Sequence, residues 1–270
     1  MGVATSPGGN NPRAPRPGGG EPVTTQRLLV RYAKRGKMRF ASQLDVARAF
    51  ERGVRRSELP IAYSVGFTPH PKISYAGGVP TGVASEAEYL SLTLTSRTEA
   101  DAVRDRLNAA LPDGIDVIAV TEDSGGLPAS RLTASEWQVA LPGLTPDSVV
   151  PVVEQFLALT EAPVERLTSK GMRRMDARAA VVSLDVGCLP GGRPPVSPGA
   201  RPADEPGAAG PAQGPGGTML RMVVRHTAPA VRPEDVLNAL RDVSDVFPAG
   251  QPLMTRLTQG SLGESGVVQP

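Results

Sequence analysis

The sequence predicts an α+β fold made of two units in tandem. In the first half the patterns follow the order strand, helix, two strands, helix, strand, which is the ferredoxin-like, split βαβ arrangement. A looser version of the same order follows in the second half. No repeat is detectable between the residues of the two halves, so the predicted duplication depends on the order of elements alone.

Two stretches of the 270-residue chain are rich in Gly and Pro. Residues 1–22 contain 11 of these residues and residues 190–217 contain 16. Neither stretch has enough apolar side chains to offset the entropy lost on ordering. The sequence therefore predicts a disordered tail over 1–25, a first unit over 26–125, and a second unit over 132–260 that is interrupted by a disordered insert at 190–217.

The first unit begins with alternating apolar and polar residues over Gln26–Lys34, which is typical of a strand. Ser42, with Asp45 three residues later, predicts the start of a helix that ends by Leu59–Pro60. The remaining elements predicted in this unit are a short strand at 72–76, a strand over 88–95, a helix over 98–111 and a strand over 115–120.

Two faces are predicted for the helix after Ser42. Its buried face is predicted from apolar residues at steps of three or four, namely Leu44, Ala47, Phe50 and Val54. Its opposite face is predicted to carry charge, namely Asp45, Arg48, Arg52, Arg55 and Arg56.

The second unit is predicted from shorter patterns. A helix is placed from about Ser148 to Leu159, because Pro151 is tolerated only in a first turn. Another helix has Pro233 at its favoured first position. The segment Lys170–Arg178 is predicted to be a solvated loop of mixed charge. The strands of this unit are predicted at 136–141, 163–167, 179–186, 219–225 and 252–258.

Charge is distributed unevenly along the chain. The formal net charge is +2, yet residues 27–75 hold eleven Lys or Arg against three Asp or Glu and carry +8, which leaves −6 for the other residues. Such asymmetry indicates an anionic partner, and guanidinium groups suit phosphate because they donate two parallel hydrogen bonds. The predicted anion-binding or nucleic-acid-binding residues are Lys37, Arg39, Arg48, Arg52, Arg55, Arg56, His70 and Lys72. The alternative is a solvated helix face with a Glu51–Arg55 pair.

A loop over 63–75 contains the one candidate for acid–base chemistry. His70 lies between two prolines and close in sequence to Lys72, Ser74 and Tyr63, so it could act as a general acid or base. The alternative is that His70 caps a turn. Ser85 and Glu88 are predicted to satisfy local backbone donors at a solvent-exposed edge.

Other classes of function are excluded or disfavoured by composition. Cys188 is the only cysteine, so the chain has no disulfide framework and no thiolate cluster. With two histidines a zinc site is not expected, and no cofactor is predicted. Since no run of about 18 apolar residues and no signal peptide is found, we expect a cytoplasmic protein without membrane contact.

Three motifs resemble those of a radical SAM-associated family of unknown function, DUF2344. Their residues are Lys37-Met-Arg39-Phe40-Ala-Ser42-Gln43-Leu44-Asp45, then Gly66-Phe67-Thr-Pro69-His70-Pro71-Lys72, then Gly82-Val-Ala-Ser85-Glu-Ala-Glu88-Tyr89. The resemblance is specific over residues 27–95 and weaker beyond them. This chain has Gln43 where the family commonly has histidine, which favours binding over chemistry at that position.

The resemblance implies a radical SAM protein as partner, since members of the family are often fused to or encoded beside one. This chain lacks the cysteine motif for the iron–sulfur cluster, so any radical chemistry belongs to that partner. Together with the basic segment, the resemblance leads to the hypothesis of a non-catalytic adaptor that binds RNA or a ribonucleoprotein. Two alternatives stay open: a metal-independent RNA-processing nuclease that uses His70, and a protein-interaction subunit without nucleic-acid contact.

Overall fold

The computed structural model describes residues 24–65, 67–123, 131–168, 171–189, 217–247, 252–263, 266 and 268–269. Within these residues the chain is a mixed α/β protein with a multi-stranded sheet and five α-helices. The predicted disordered tail and insert lie outside the described residues, apart from Thr24, Thr25 and Gly217.

The elements agree in type with most of the predicted ones. The strands are β1 (Gln26–Lys34), β2 (Ile73–Tyr75), β3 (Ala84–Leu94), β4 (Ile115–Glu122), β5 (Ala134–Leu141), β6 (Pro163–Thr168), β7 (Gly171–Asp176), β8 (Val181–Cys188), β9 (Thr218–Arg225), β10 (Leu253–Leu262) and β11 (Val268–Gln269). The helices are a 3₁₀ turn (Gly36–Phe40), α1 (Gln43–Arg56), α2 (Ala100–Ala110), α3 (Pro146–Ala158), α4 (Ala177–Ala180) and α5 (Pro233–Val243).

Most of the strands form one sheet, in the order β4-β1-β3-β10-β5-β9-β8. β2 pairs with β3, and β11 pairs with β10. A separate two-stranded sheet is formed by β6 and β7. β10 is antiparallel to β5 and parallel to β3, and it therefore joins the strands of the first half to those of the second.

One edge of β3 is shared by two strands. β2 pairs with the later part of β3, where Ile73 lies opposite Leu92. β10 pairs with its first residues, where Thr255 lies opposite Ala84 and Arg256 opposite Ser85. The sheet is therefore forked at β3, with β2 and β10 as the two branches.

The helices of both halves pack on the same face of the sheet. Val30 of β1 packs against the buried residues of α1 and α2, and Val139 of β5 packs against those of α3 and α5. Arg256 lies on this face and contacts both the Trp137 ring in the second half and Glu88 in the first. Because side chains alternate along a strand, residues such as Arg31 and Glu136 point to the opposite face.

Two predictions for the second half were wrong. α3 begins at Pro146, so that Pro151 lies inside it and not in its first turn. Pro146 occupies the first helical position, where a missing N–H costs nothing. The predicted solvated loop at 170–178 is instead mostly β7, which forms a hairpin with β6. The sequence shows no alternation of apolar and polar residues over β7, because Met175 is the buried residue of this strand and the other side chains of β7 are more exposed.

His226 connects the ends of β5 and β9. Its Nε2 lies 2.7 Å from Ser135 Oγ and its Nδ1 lies 2.6 Å from the Leu132 carbonyl oxygen. A carbonyl can only accept, so Nδ1 carries the proton and Nε2 accepts from the Ser135 hydroxyl. Loss of water around the ring lowers the pKa of His226, the bond to Leu132 partly offsets this effect, and the charge of Arg256 lowers the pKa further.

We predict that acidification destabilises the protein through His226. Its pKa is lowered in the folded state, so the unfolded chain takes up the proton first, and the contribution of His226 to the free energy of unfolding decreases as the pH falls below about 6.5. Thermal unfolding from about pH 8 to about pH 5 measures this effect. The variant His226→Gln should lose this part of the pH dependence, and an equally steep dependence in the variant would contradict the assignment.

Candidate nucleic-acid interface

α1 begins with the predicted cap. The Ser42 hydroxyl accepts from the Asp45 backbone N–H, and the Asp45 carboxylate accepts from the Ser42 backbone N–H. This arrangement satisfies backbone donors at the start of the helix. The first turn of α1 is therefore fixed by two residues that the sequence had indicated.

The buried face of α1 differs from the predicted one. Leu44, which was predicted to lie inside, is 59% exposed. The buried residues are Val46, Ala49, Phe50, Gly53 and Val54. A Cβ at Gly53 would lie 2.9 Å from Leu111 Cδ2, so the helix approaches α2 closely on this side. Gly53 therefore lies on the buried face of α1, where a pattern of apolar side chains does not place it.

Three of the predicted arginines form an exposed row on α1: Arg48, Arg52 and Arg55. In the part of the chain that the structure describes, none of the three forms an ion pair, and the alternative Glu51–Arg55 pair is not made. The bonds to Ser42 lower the pKa of Asp45, and the charges of Arg48 and Arg52 lower it further.

Arg56 has a different role from the row. Its Nη2 donates to the Ala110 carbonyl oxygen at 2.5 Å, which links the end of α1 to the end of α2. This bond occupies part of a guanidinium that was predicted to face an anion. Arg56 is therefore not counted with Arg48, Arg52 and Arg55 in the exposed row.

Lys37 and Arg39 lie on the 3₁₀ turn before α1. Lys37 is exposed, whereas Arg39 Nε donates to the Gly82 carbonyl oxygen at 2.9 Å, and Arg39 Cζ lies 5.1 Å from the centre of the Phe40 ring. Partial burial lowers the pKa of Arg39. This turn is held against the residues that precede β3.

His70 and Lys72 lie near the C-terminal end of β3. Lys72 accepts through its carbonyl from the Thr93 backbone N–H, while Arg39 binds Gly82 before the strand begins. From Ala84 at the start of β3 to Thr93 the strand extends for about 30 Å at about 3.3 Å per residue. The exposed His70 is held by its backbone, whose N–H donates to Ser64 Oγ at 3.0 Å. The structure therefore does not bring His70 and Lys72 together with Lys37 and Arg39.

Two cations of the basic segment are not on the surface. Lys34 and Arg35 are 3% and 7% exposed. Arg35 forms ion pairs with Glu86 and Asp116. The +8 charge of residues 27–75 is therefore only partly available to a partner, and the exposed row on α1 carries a larger share of it than the sequence suggested.

A buried polar cluster lies at the fork of the sheet, and the sequence did not predict it. Arg256 Nη2 lies 2.5 Å from Glu88 Oε1, and both side chains are nearly inaccessible. Arg256 also reaches Ser85 Oγ and the Gly77 carbonyl oxygen, each at 3.4 Å. Glu88 and Ser85 were predicted to lie at a solvent-exposed edge, but they are 2% and 0% exposed. That prediction was wrong because β10 covers this end of β3.

Lys34 and Tyr32 extend this cluster along β1. Burial lowers the pKa of Lys34, Glu88 raises it, and the charge of Arg256 lowers it again. Burial raises the pKa of Tyr32 well above its ordinary value, with a further rise from Glu88, so this phenol stays neutral. The cluster therefore holds one buried carboxylate between two buried cations.

Gln43 connects the start of α1 to this cluster. Its amide faces the Tyr32 hydroxyl. A Cβ at Gly78 would overlap the Gln43 amide oxygen and would lie 3.4 Å from Glu88 Oε2. Residues of the first and third family-like motifs thus meet at one place, although they are far apart in the sequence. The pairing of β1 with β3, which places Tyr32 opposite Glu88, contributes to this meeting.

Neither a metal site nor a membrane-spanning helix is found in the described residues. No group of three or more His, Cys, Asp or Glu side chains is placed to hold a metal ion within the described ranges. No helix in the described part of the chain has both the length and the apolar content needed to cross a bilayer.

Comparisons with known proteins give one family. The family model described as "Uncharacterized protein conserved in bacteria (DUF2344)" matches residues 27–233. No curated protein matches the chain. Among solved structures, 22 chains match this protein. One of them is "Crystal Structure of an Unknown Protein from Galdieria sulphuraria", with 14% identity and a TM-score of 0.21 over 86% of this chain and 99% of that chain.

We predict that Arg256→Met strongly destabilises the protein, because it leaves the Glu88 carboxylate buried without its partner. The expected loss in free energy of unfolding is about 3–5 kcal/mol, and the double variant Arg256→Met with Glu88→Leu should recover most of it. Urea denaturation followed by circular dichroism measures both. Arg97→Met, in an exposed pair with Glu122, is the control and should cost less than about 1 kcal/mol. Equal losses for Arg256→Met and Arg97→Met would refute the prediction.

We also predict that Gly78→Ala displaces the Gln43 side chain. The expected cost is about 1 kcal/mol, because the amide loses its place beside Tyr32. In a Gln43→Ala background the same change should cost much less, since the overlapping group is gone. A double-mutant cycle by urea denaturation measures the coupling. Identical costs in the two backgrounds would show that the two residues do not share this space.

Proposed function

The chain belongs to the DUF2344 family of uncharacterised bacterial proteins, whose model matches residues 27–233, and we propose that it is a non-catalytic accessory protein that binds RNA or a ribonucleoprotein. The observation that carries this proposal is the row Arg48, Arg52 and Arg55. All three are exposed and free of ion pairs within the described residues. The Glu51–Arg55 pair expected of a solvated face is not formed within the described residues.

The row suits phosphate for a physical reason. From Arg48 to Arg55 is seven residue steps along α1, which is about 10 Å at 1.5 Å per residue. Each guanidinium presents a planar fork of donors to an oxyanion. Lys37, exposed on the turn before the helix, adds a fourth positive charge to this end of the molecule. The proposal therefore assigns phosphate contacts first to the row and then to Lys37.

We further propose that the two halves are ferredoxin-like units. In the first half the strand order is β4-β1-β3, with β2 on the other edge of β3. In the second half the order is β10-β5-β9-β8. When the four strands that each half contributes to this sheet are numbered in chain order, with β2 included and the separate hairpin of β6 and β7 left out, both orders read 4-1-3-2, which supports the tandem arrangement.

The proposed partner is a radical SAM protein in the cytoplasm. The support for it is the resemblance of the three motifs, together with the single cysteine of the chain, Cys188. The three thiolates that hold a radical SAM cluster have to come from outside this sequence. In this proposal the protein presents RNA, and its partner performs the chemistry.

A nuclease that uses His70 has less support. A general acid or base needs a neighbour that orients it. In the described part of the chain, no side chain is bonded to the His70 imidazole, which lies exposed on its loop. We therefore treat cleavage of RNA as an outcome of the test and not as a second proposal.

We predict that the triple variant Arg48→Glu, Arg52→Glu, Arg55→Glu loses at least about tenfold in affinity for single-stranded RNA. Loss of three phosphate contacts should also reduce the slope of log K against log salt by about 2. Fluorescence anisotropy with labelled RNA at several salt concentrations measures both quantities. Far-UV circular dichroism checks that the variant is folded, since these three side chains are exposed.

The matched control makes the same kind of change elsewhere. Arg173→Glu with Arg174→Glu alters two exposed arginines of β7 in the second half and should leave affinity within about twofold. Wild-type affinity in the triple variant would overturn the proposal. RNA cleavage in the presence of EDTA that His70→Ala abolishes would favour the nuclease instead. Capture of the radical SAM partner that survives nuclease treatment but fails with the triple variant would favour a protein-binding face.

A further inference from the structure

A groove lies on the face of the sheet opposite the one on which α1 packs. It has a volume of about 570 Å³ and is lined by residues of both halves of the chain, from β1, β3, β4, β5, β9 and β10, together with Asn108 of α2. Small-molecule pockets usually have about 300 to 1,000 Å³. The groove is therefore of suitable size for a small ligand, and it lies on the opposite side of the sheet from α1.

Two arginines in the groove are held in the same way. Arg31 Nε donates to the Glu86 carbonyl oxygen at 3.0 Å, and Arg221 Nε donates to Glu136 Oε1 at 2.5 Å. For both residues, the terminal nitrogens Nη1 and Nη2 have no bonding partner within the described residues. A guanidinium that bonds to the protein through Nε leaves both of its Nη groups available to donate to a planar oxyanion.

The third arginine of the groove is already paired. Arg35 binds both carboxylate oxygens of Glu86, and its Nη1 binds Asp116 at 3.0 Å. The three arginines of the lining are thus balanced by Glu86, Asp116 and Glu136. Polyanions such as RNA gain affinity from an excess of positive charge, which this lining does not have.

We infer that the groove binds a small organic oxyanion, through the free guanidinium edges of Arg31 and Arg221. The shared chemistry is a carboxylate or a phosphate monoester, because both present oxygens at the spacing of the guanidinium fork. The balanced lining limits the ligand to a small charge. Glu136 Oε2 accepts no hydrogen bond within the described residues and can accept one from a donor on the ligand. This site is separate from the proposed RNA face on α1.

Isothermal titration of the full chain with two probes tests the inference. Adenosine 5′-monophosphate represents the phosphate monoester and glutarate represents the carboxylate. If only one of them binds, the result identifies which anionic group the groove recognises. Arg221→Lys and Arg31→Lys keep the charge but remove the fork, and each should weaken binding by about tenfold or more. Arg225→Lys is the matched control on the same strand, outside the groove, and should bind as the wild type does.

The outcomes separate this site from the RNA face. Arg31→Lys and Arg221→Lys should leave RNA affinity within about twofold, while the triple variant of α1 should still bind the small probe. The inference is overturned if neither probe binds, or if the two groove variants bind it as tightly as Arg225→Lys does. It is also overturned if the probe is lost together with RNA in the triple variant of α1. Because Arg221 is largely exposed, its variant gives a result even if Arg31→Lys fails to fold.

Discussion

The ion pair between Arg256 and Glu88 is the constraint on which the rest of the structure depends. Two charges are taken out of water at the place where β10 meets β3, and such burial is tolerated only when each charge has a partner and further bonds. The additional bonds come from Ser85 and Gly77, and the ring of Trp137 lies against the guanidinium. These contacts fix one strand register between two halves that are otherwise joined by few paired residues.

That register decides which surfaces the molecule presents. With β10 placed beside β3, the helices of both halves lie on one face and the groove crosses the other. The exposed arginine row and the two anchored arginines of the groove are therefore held on opposite sides of one sheet. The two proposed anion-binding surfaces thus differ in character, since the row on α1 makes no ion pair within the described residues, whereas the charges that line the groove are balanced.

Local signals in the sequence predicted local structure well. Ser42 and Asp45 gave the start of α1, and alternation gave β1, since capping and strand period depend on neighbouring residues. The buried face of α1 was misread because Gly53, which has no apolar side chain, lies on that face, whereas the apolar Leu44 is exposed. Glu88 was placed in solvent because its partner is 168 residues away. The groove could not be predicted at all, since only the order of strands in the sheet places Arg31 and Arg221 along one groove.

The position of β10 also has a consequence for synthesis. This strand lies between β3 and β5 in the middle of the sheet, yet among the long strands it comes last in chain order. Until residues 253–262 have left the ribosome, β3 and β5 both expose edges that can pair with other chains. A nascent chain therefore completes its helices and most of its strands while the centre of the sheet is still open, which makes this the stage at which pairing with other chains is easiest.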